Sequence, residues 1–427
     1  MTEDKQKKQN YTRRFVLVLR ILVGSVFAFS GFVKAVDPWG GFYKFEDYVS
    51  ALGWEWLSPF LTFGAFAVSV FEFVLGVILI VGAYRRFSSW LALALMAVMT
   101  PLTLWLALTG SVADCGCFGD AVVLSNWATF WKNIVLLAAV IYLLLFNVRV
   151  GNLYSPGIQW IVTTITLAFV IVVACYGYFV QPMIDFRPYK IGKELIPITD
   201  TVDEDFVFVY EKGGVREEFG IDEIPNDSTW NFVERRDKKT QNVDSDTGGN
   251  LVLRNNDEDV TWNVLKQEGE QIVLVFSDME DIDITYTYLI NIIDDFARKS
   301  GVDIIGATGA GTDEIEEWND LSMAAYPIYN ADDTELKMLA RGNPAVVYLR
   351  DGKVVWKRTL QSISAARVDA AMNGEGDFMW IADDFDGEER LKWLVTAYVT
   401  AMLLILILNR SYRVYKFSAR LMKKNRK

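Results

Sequence analysis

The heptapeptide DCGCFGD, Asp114 to Asp120, holds two of the chain's three cysteines, one residue apart between two apolar runs. Two thiols at this spacing can exchange electrons with a partner, stand as a fixed disulfide, or hold a soft metal. A Cys-x-Cys disulfide closes a very small ring, and strain in such a ring makes the bond easier to reduce. Exchange therefore suits the pair better than stapling. Gly116 and Gly119 give the loop room to turn. Ser125 or Asn126 can cap the helix that follows, whose amino end favours a thiolate, while Asp114 and Asp120 oppose one. Redox exchange is the first reading, a structural loop the second and metal the third. Cu(I) is the one ion that suits thiolates in a chain without imidazole, and no metal ligand set is assigned. Cys175 is a candidate resolving thiol, with simple packing as its plainer account.

The 427 residues include no histidine, which removes the commonest general base and metal ligand. Three cysteines are too few for a disulfide scaffold or an iron–sulfur cluster. Hydrophobic residues make up 52 % of the chain, gathered in runs. A bilayer crossing needs about 20 apolar residues, and six runs qualify: Phe15–Val36, Leu57–Val81, Ser88–Leu108, Trp127–Phe146, Ile158–Val180 and Trp393–Leu408. The basic segments lie at both termini and in YRRF and NVRVGNL, and basic segments stay in the cytoplasm. That rule sends the loop DPWGGFYKFEDYVSALGWEW, the cysteine loop and the acidic middle to the opposite side of the membrane. A multi-pass membrane protein is the expectation, with both termini cytoplasmic and the lipid bilayer as a partner. The acidic middle, which dominates a net charge of -12, excludes nucleic acid. No inverted repeat suggests a transporter.

Arg20 and Glu72 fall inside apolar runs, where a charge costs at least ~2.5–3.5 kcal/mol. A structural ion pair that fixes helix register is the plain expectation. A proton or quinone-headgroup site is the functional one, and quinone is the one cofactor weighed. Lys34 and Lys132 lie nearer the outer surface, to snorkel, to pair with Asp37, Asp114 or Asp120, or to lower a cysteine pKa.

The outer segment reads as a hairpin (DFVFVYEKGGVREEFG), then a polar loop (IPNDSTWNFVERRDKKTQNVDSDTGGN), then alternating strands and helices. QIVLVFS and VDIIGATG are strands. TYTYLINIIDDFARKSG, TDEIEEWNDLSM and TELKMLARG are helices. PAVVYLRDGKVVWKRT is two strands joined at Asp-Gly, a strong hairpin signal. Gly-Asn-Pro ahead of a strand invites a cis proline. This order resembles the thioredoxin fold, and its later half resembles the peroxiredoxin and TlpA-like branch. The resemblance puts Pro344 at the fold's cis proline and implies a partner-binding groove beside Asn343 and Pro344. The fold's CxxC would fall near SDMEDIDIT, Ser277–Thr285, where no cysteine stands. The domain would then bind a partner without exchanging thiols itself.

The stretches LRILVGSVFAFSGFVKAVDP, FEFVLGVILIVGAYRR and DCGCFGDAVVLSNWATFWKNIVLL resemble the DoxX/MauE group of four-helix membrane proteins, and CGCFG points to its MauE side. The whole layout is similar to DoxX-family proteins of Bacteroidetes, which implies the bacterial inner membrane, a periplasmic soluble domain and a periplasmic protein partner. The resemblance implies a part in maturing a disulfide-rich periplasmic enzyme or in a membrane oxidoreductase complex. The expected fold is a membrane all-α bundle with an α/β thioredoxin-like extracytoplasmic domain. Its parts are a basic tail (1–14), a four-helix core (15–150), a fifth helix (158–180), a β-rich segment (181–262), the thioredoxin-like domain (263–375), a sixth helix (393–409) and a second basic tail (410–427). The expected activity is a component of thiol–disulfide oxidoreduction. The alternative is a non-enzymatic scaffold or assembly factor with a structural cysteine loop.

Overall fold

The computed structural model describes residues 3–112, 114–147, 150–195, 206–212, 215–219, 230–237, 251–255, 258–382 and 387–424. Its helical half begins with α1 (Glu3–Val36), α2 (Pro38–Leu52), α3 (Leu61–Val81), α4 (Arg85–Thr109), α5 (Asn126–Phe146) and α6 (Gln159–Phe179). All but α2 are long and apolar enough to cross a membrane, as is α13 (Gly387–Lys424) near the carboxyl end. The chain is a multi-pass membrane protein. Exposed Phe63, Trp90, Val98 and Val135 on these helices are the side chains such a bundle turns to lipid.

The sequence treats Asp37–Trp56 as loop, and most of it is α2. Asp37 accepts a hydrogen bond from the Gly40 amide and Pro38 opens the helix, while Gly53 closes it at φ 66°. These are an N-cap, a proline at the first position and a left-handed C-cap, a start and stop legible in the residues themselves.

Helices α1 and α3 cross at very close range. A Cβ on Gly31 would collide with the Phe73 and Ser69 backbone, and one on Gly76 with the Ala28 and Gly24 backbone. Small residues at such a crossing let two backbones approach in a bilayer, where no hydrophobic force drives helices together. The Ser-Gly-x-x-Lys of α1 and the Glu-x-x-x-Gly of α3 therefore meet face to face.

The soluble half has two sheets. The first is β1 (Phe206–Lys212), β2 (Val215–Phe219) and β3 (Asn231–Asp237), antiparallel in the order β2-β1-β3. The first two form the expected hairpin, whose Gly-Gly turn lies outside the described residues. The sequence leaves β3 inside a polar loop, because its NFVERRD pattern has little apolar content to bury. Most of that stretch lies outside the described residues.

The second sheet contains β4 (Arg254–Asn255), β5 (Glu258–Asp259), β6 (Glu270–Phe276), β7 (Asp303–Thr308), β8 (Ile328–Asn330), β9 (Ala345–Arg350) and β10 (Lys353–Thr359), in the order β10-β9-β6-β7-β8-β4-β5. Strand β6 runs parallel to β7 and antiparallel to β9, which runs antiparallel to β10. Helix α7 (Thr261–Val264) precedes β6, α8 (Tyr286–Ser300) joins β6 to β7, α9 (Thr312–Ser322) lies between β7 and β8, α10 (Asp333–Leu339) precedes β9, and α11 (Ala365–Met372) and α12 (Phe378–Ile381) follow β10. Strand β6 is covered on both faces, as its unbroken apolar run requires. Ile272, Leu274 and Phe276 meet Ile290, Phe296 and Val368, whereas Val273 and Val275 meet Leu336 and Leu339. Asp351 and Gly352 turn β9 into β10 with φ values of 51° and 70°, the positive pair a tight hairpin needs. The Asn343–Pro344 bond is cis.

The segment after α6 straps this domain to the bundle. Thr359 donates its amide to Val180, and Gly192 and Leu195 donate theirs to Val354 and Gly352 along β10. Lys357 of β10 is buried and donates to the Asp185 carboxylate at 2.5 Å, to Tyr189 O at 2.7 Å and to Leu339 O at 3.0 Å.

Candidate functional site

The cysteine loop does not lie on the bundle's rim. It dips between α1, α2 and α5 at the face that carries the soluble domain. Its depth is set by Ser30, six residues inside the end of α1, or about 9 Å at the helical rise. Irregular backbone packed among helices needs internal partners for its polar groups. The loop has them. Tyr48 of α2 donates to Cys115 O at 2.6 Å, and the Ser30 hydroxyl reaches Cys117 O at 2.5 Å. Asp114 accepts from the Gly116 amide at 2.7 Å and is paired with Lys44 of α2 at 3.0 Å. Ser125 caps α5, and Asn126 donates to Val112 O instead.

Cys115 and Cys117 are free thiols with their sulfurs 2.9 Å apart. Cys115 is buried and Cys117 half-buried. The hydrogen bond from Cys115 is the largest influence lowering the Cys117 thiol to about 6; burial and Glu72 oppose it, and Lys132 and Lys34 assist. The same hydrogen bond, together with burial, pushes Cys115 well up. Either sulfur can donate across this contact, and it shifts the two thiols in opposite directions. Lys132 sits 4.2 Å from the centre of the Phe118 ring, beside the pair.

Below the thiols, Lys34 contacts both oxygens of Glu72 at 2.8 Å each. The Ser30 hydroxyl, with one proton, lies between Glu72 Oε2 at 2.7 Å and Cys117 O. The structure brings Glu72 to Lys34 and not to Arg20. Arg20 lies fourteen residues earlier on α1, about 21 Å by helical rise, and donates to Gly151 O at 3.3 Å. The expected Arg20–Glu72 ion pair is therefore corrected. So is the pairing of Lys34 with Asp37, Asp114 or Asp120. Cys175 lies half-buried on α6 and lines neither of the two cavities beside Cys117. Among the described residues no three Cys, Asp or Glu side chains form a metal-binding group.

Asp37 and Asp120 meet neither lysine. Both face Arg341, which leaves the soluble domain two residues before Asn343. Its guanidinium holds Asp37 through Nε at 3.0 and 3.1 Å and Nη2 at 2.7 Å, and Asp120 through Nη2 at 2.9 Å. Gln181 brackets the Arg341 backbone, donating to its carbonyl at 2.6 Å and accepting from its amide at 3.2 Å. Burial disfavours the charge on Arg341, but Asp37 and Asp120 outweigh it and raise the group. Against burial, Arg341 and Arg187 likewise hold Asp37 below the usual carboxylate range. For Asp120 burial wins, and its carboxyl is raised. The last residue of the cysteine loop is thus tied directly to the segment that carries the cis proline.

A cleft of about 1100 Å³ separates α2 from the soluble domain. Trp39, Tyr43 and Glu46 form one wall; Ser277, Asp278, Asn343 and Pro344 form the other. The expected groove residues therefore do line an open space. They open onto α2, and the cysteines are not among the residues that line it.

Sequence reasoning missed Ser30, Lys44, Tyr48 and Arg341 as parts of this site, and offered Asp37 only as a partner for the lysines. The motif Ser-Gly-x-x-Lys contained Ser30 and Lys34, and only its crossing with α3 discloses their partner. Nothing in the sequence links Arg341 to residues more than 200 positions earlier.

These features define a membrane helical bundle with an α/β domain strapped to the face where its two thiols are held. Residues 12–146 match the family model of methylamine utilisation protein MauE, and residues 204–242 match a domain of unknown function, DUF8463. The helical part up to α5 is thus MauE-like, in line with the resemblance read from its sequence. No curated protein and no solved structure matches the chain.

Proposed function

We propose that this chain is an inner-membrane component of periplasmic thiol–disulfide exchange. Cys117 is its nucleophile, Cys115 its resolving thiol, and the α/β domain recruits the partner. The observation that carries the reading is the 2.9 Å pair itself, with one sulfur donating a hydrogen to the other beside Lys132 and above Lys34. The basic termini and the basic YRRF turn support an orientation with the soluble domain in the periplasm. The parallel β6–α8–β7 unit, the antiparallel β9–β10 pair and the cis Asn343–Pro344 bond support a thioredoxin-like reading of the domain.

In the reducing direction, the Cys117 thiolate attacks a partner disulfide, forming a mixed disulfide and releasing one partner thiolate. Cys115 then gives up its proton and displaces the second partner sulfur. The Cys115–Cys117 bond closes and two electrons pass to the partner dithiol. The reverse sequence oxidises a partner. Ring strain in Cys-x-Cys favours that reverse direction, with the partner left as the disulfide. The cavity lined by Glu72 measures about 30 Å³, too small for a quinone ring. A second protein is therefore the proposed electron acceptor.

A Cys115→Ser variant tests the assignment by accumulating a mixed disulfide through Cys117, seen as a reducible adduct in intact cells. If no adduct forms under oxidising or reducing growth, and both wild-type thiols stay unreactive, the exchange reading fails. The burial of Cys115 favours a second reading, an assembly scaffold with a structural loop. Under it, Cys115→Ser with Cys117→Ser still captures the partner in pull-down and keeps function.

A further inference from the structure

Met99 of α4 lines both small cavities that flank Cys117, and Cys115 lines the larger of the two. Cys115, Cys117 and Met99 thus line one small cavity of about 50 Å³, together with Lys34 and Lys44, whose charges are met by Glu72 and Asp114. A single water needs roughly 10–15 Å³, so this is room for an ion and its sulfur ligands. The donors are all soft. The chain has no histidine, and the two nearest carboxylates are already engaged, Asp114 by Lys44 and Glu72 by Lys34. Zinc takes four nitrogen, oxygen or thiolate ligands, and no group of three such residues exists among the described ones. Cu(I) accepts a few sulfur ligands and selects thiolate and thioether over harder donors.

Charge points the same way. Two bare thiolates in a small pocket would leave two negative charges. One monovalent cation removes one of them, and Lys132 beside Phe118 faces the other. Lys34 and Glu72 cancel each other.

We propose that the reduced Cys115–Cys117 pair binds one Cu(I) ion, with the Met99 thioether as its third ligand. Binding displaces the Cys115 proton and the hydrogen bond it makes to Cys117, and no electrons move. The inference is separate from thiol exchange: copper occupies the pair only when it is reduced and blocks it while bound.

Full-length reduced protein in detergent is titrated under nitrogen with Cu(I) against a coloured Cu(I) chelator. One ion per chain is expected. Cys115→Ser and Cys117→Ser each abolish binding. Met99→Leu, which keeps the packing volume, weakens it by about tenfold, a cost typical of losing one supporting group at a metal site. Zn²⁺ in excess leaves the bound copper in place. Failure to take copper from the chelator overturns the proposal, as does binding that survives Cys117→Ser, unchanged affinity in Met99→Leu, or displacement by Zn²⁺. Mixed-disulfide trapping carried out with the chelator present reports on exchange alone, so either idea can fail without the other.

Discussion

Arg341 of the soluble domain and Asp120 of the cysteine loop stand 2.9 Å apart, joining positions 221 residues distant in sequence. The same guanidinium holds Asp37 at the junction of α1 and α2. One side chain thus ties the thiol loop, the bundle and the approach to Pro344 together. Pro182, Ile184, Asp185, Phe186 and Arg187 line one small cavity with Gly116 and Gly119 beside it.

Arg341→Gln strands two carboxylates, and breaking a buried pair in this way costs about 3–5 kcal/mol. The expected readout is faster alkylation of Cys117 in membranes, with a lower melting temperature. Asp37 and Asp120 contribute unequally. The fold favours the charged form of Asp37 and disfavours that of Asp120. Asp37→Asn is therefore expected to speed alkylation more than Asp120→Asn. Equal effects would contradict the assigned roles.

The pH profile of Cys117 follows from its neighbours. Its alkylation rate rises through a midpoint near about 6 and levels off above it. The Cys115 hydrogen bond is the largest cause, so Cys115→Ala moves the midpoint up furthest, while Cys115→Ser retains a donor and moves it less. Lys132→Gln removes a stabilising positive charge and also moves it up. Each change slows alkylation at pH 6 and leaves it nearly unchanged at pH 9. Rates measured from pH 5 to 10 decide the order.

Lys34 and Glu72 are coupled through two 2.8 Å contacts inside the bundle. Lys34→Met leaves a buried carboxylate alone and costs about 3–5 kcal/mol. Lys34→Met combined with Glu72→Gln recovers most of that loss. A double-mutant cycle on thermal stability in detergent measures the coupling. Additive losses would mean that the two side chains do not act as a pair.

Gly31 stands where the α1 and α3 backbones touch. Gly31→Ala forces the helices apart and costs about 1–3 kcal/mol, the usual range for overpacking. Because the same crossing carries Ser30 and Lys34, the variant is also expected to shift the Cys117 alkylation midpoint. Gly53→Ala serves as the comparison: it strains a C-cap at φ 66° with open space around it and is expected to leave that midpoint in place.

The six spans were legible because a bilayer leaves only length and apolarity to read, and each predicted run coincides with a helix. The strands of the second sheet were legible for a related reason. QIVLVF is apolar throughout because it is covered on both sides, and Asp-Gly marks the β9–β10 turn. Strand β3 was hidden because its polar residues resemble those of a loop. Helix α2 was overlooked although Asp-Pro opens it and Gly53 ends it, because it lies between two apolar runs and read only as the loop that joins them.

What the sequence alone determined is the chemistry on offer: two neighbouring thiols, no imidazole, and charged residues within apolar helices that had to find partners. Tertiary structure alone decided who those partners are. A charge in a low-dielectric bundle pairs with whatever the helix crossing brings within 3 Å, and that distance depends on where backbones can approach. Gly31 and Gly76 brought Lys34 to Glu72, left Arg20 a full 14 residues away along α1, and so set which charges surround the thiols.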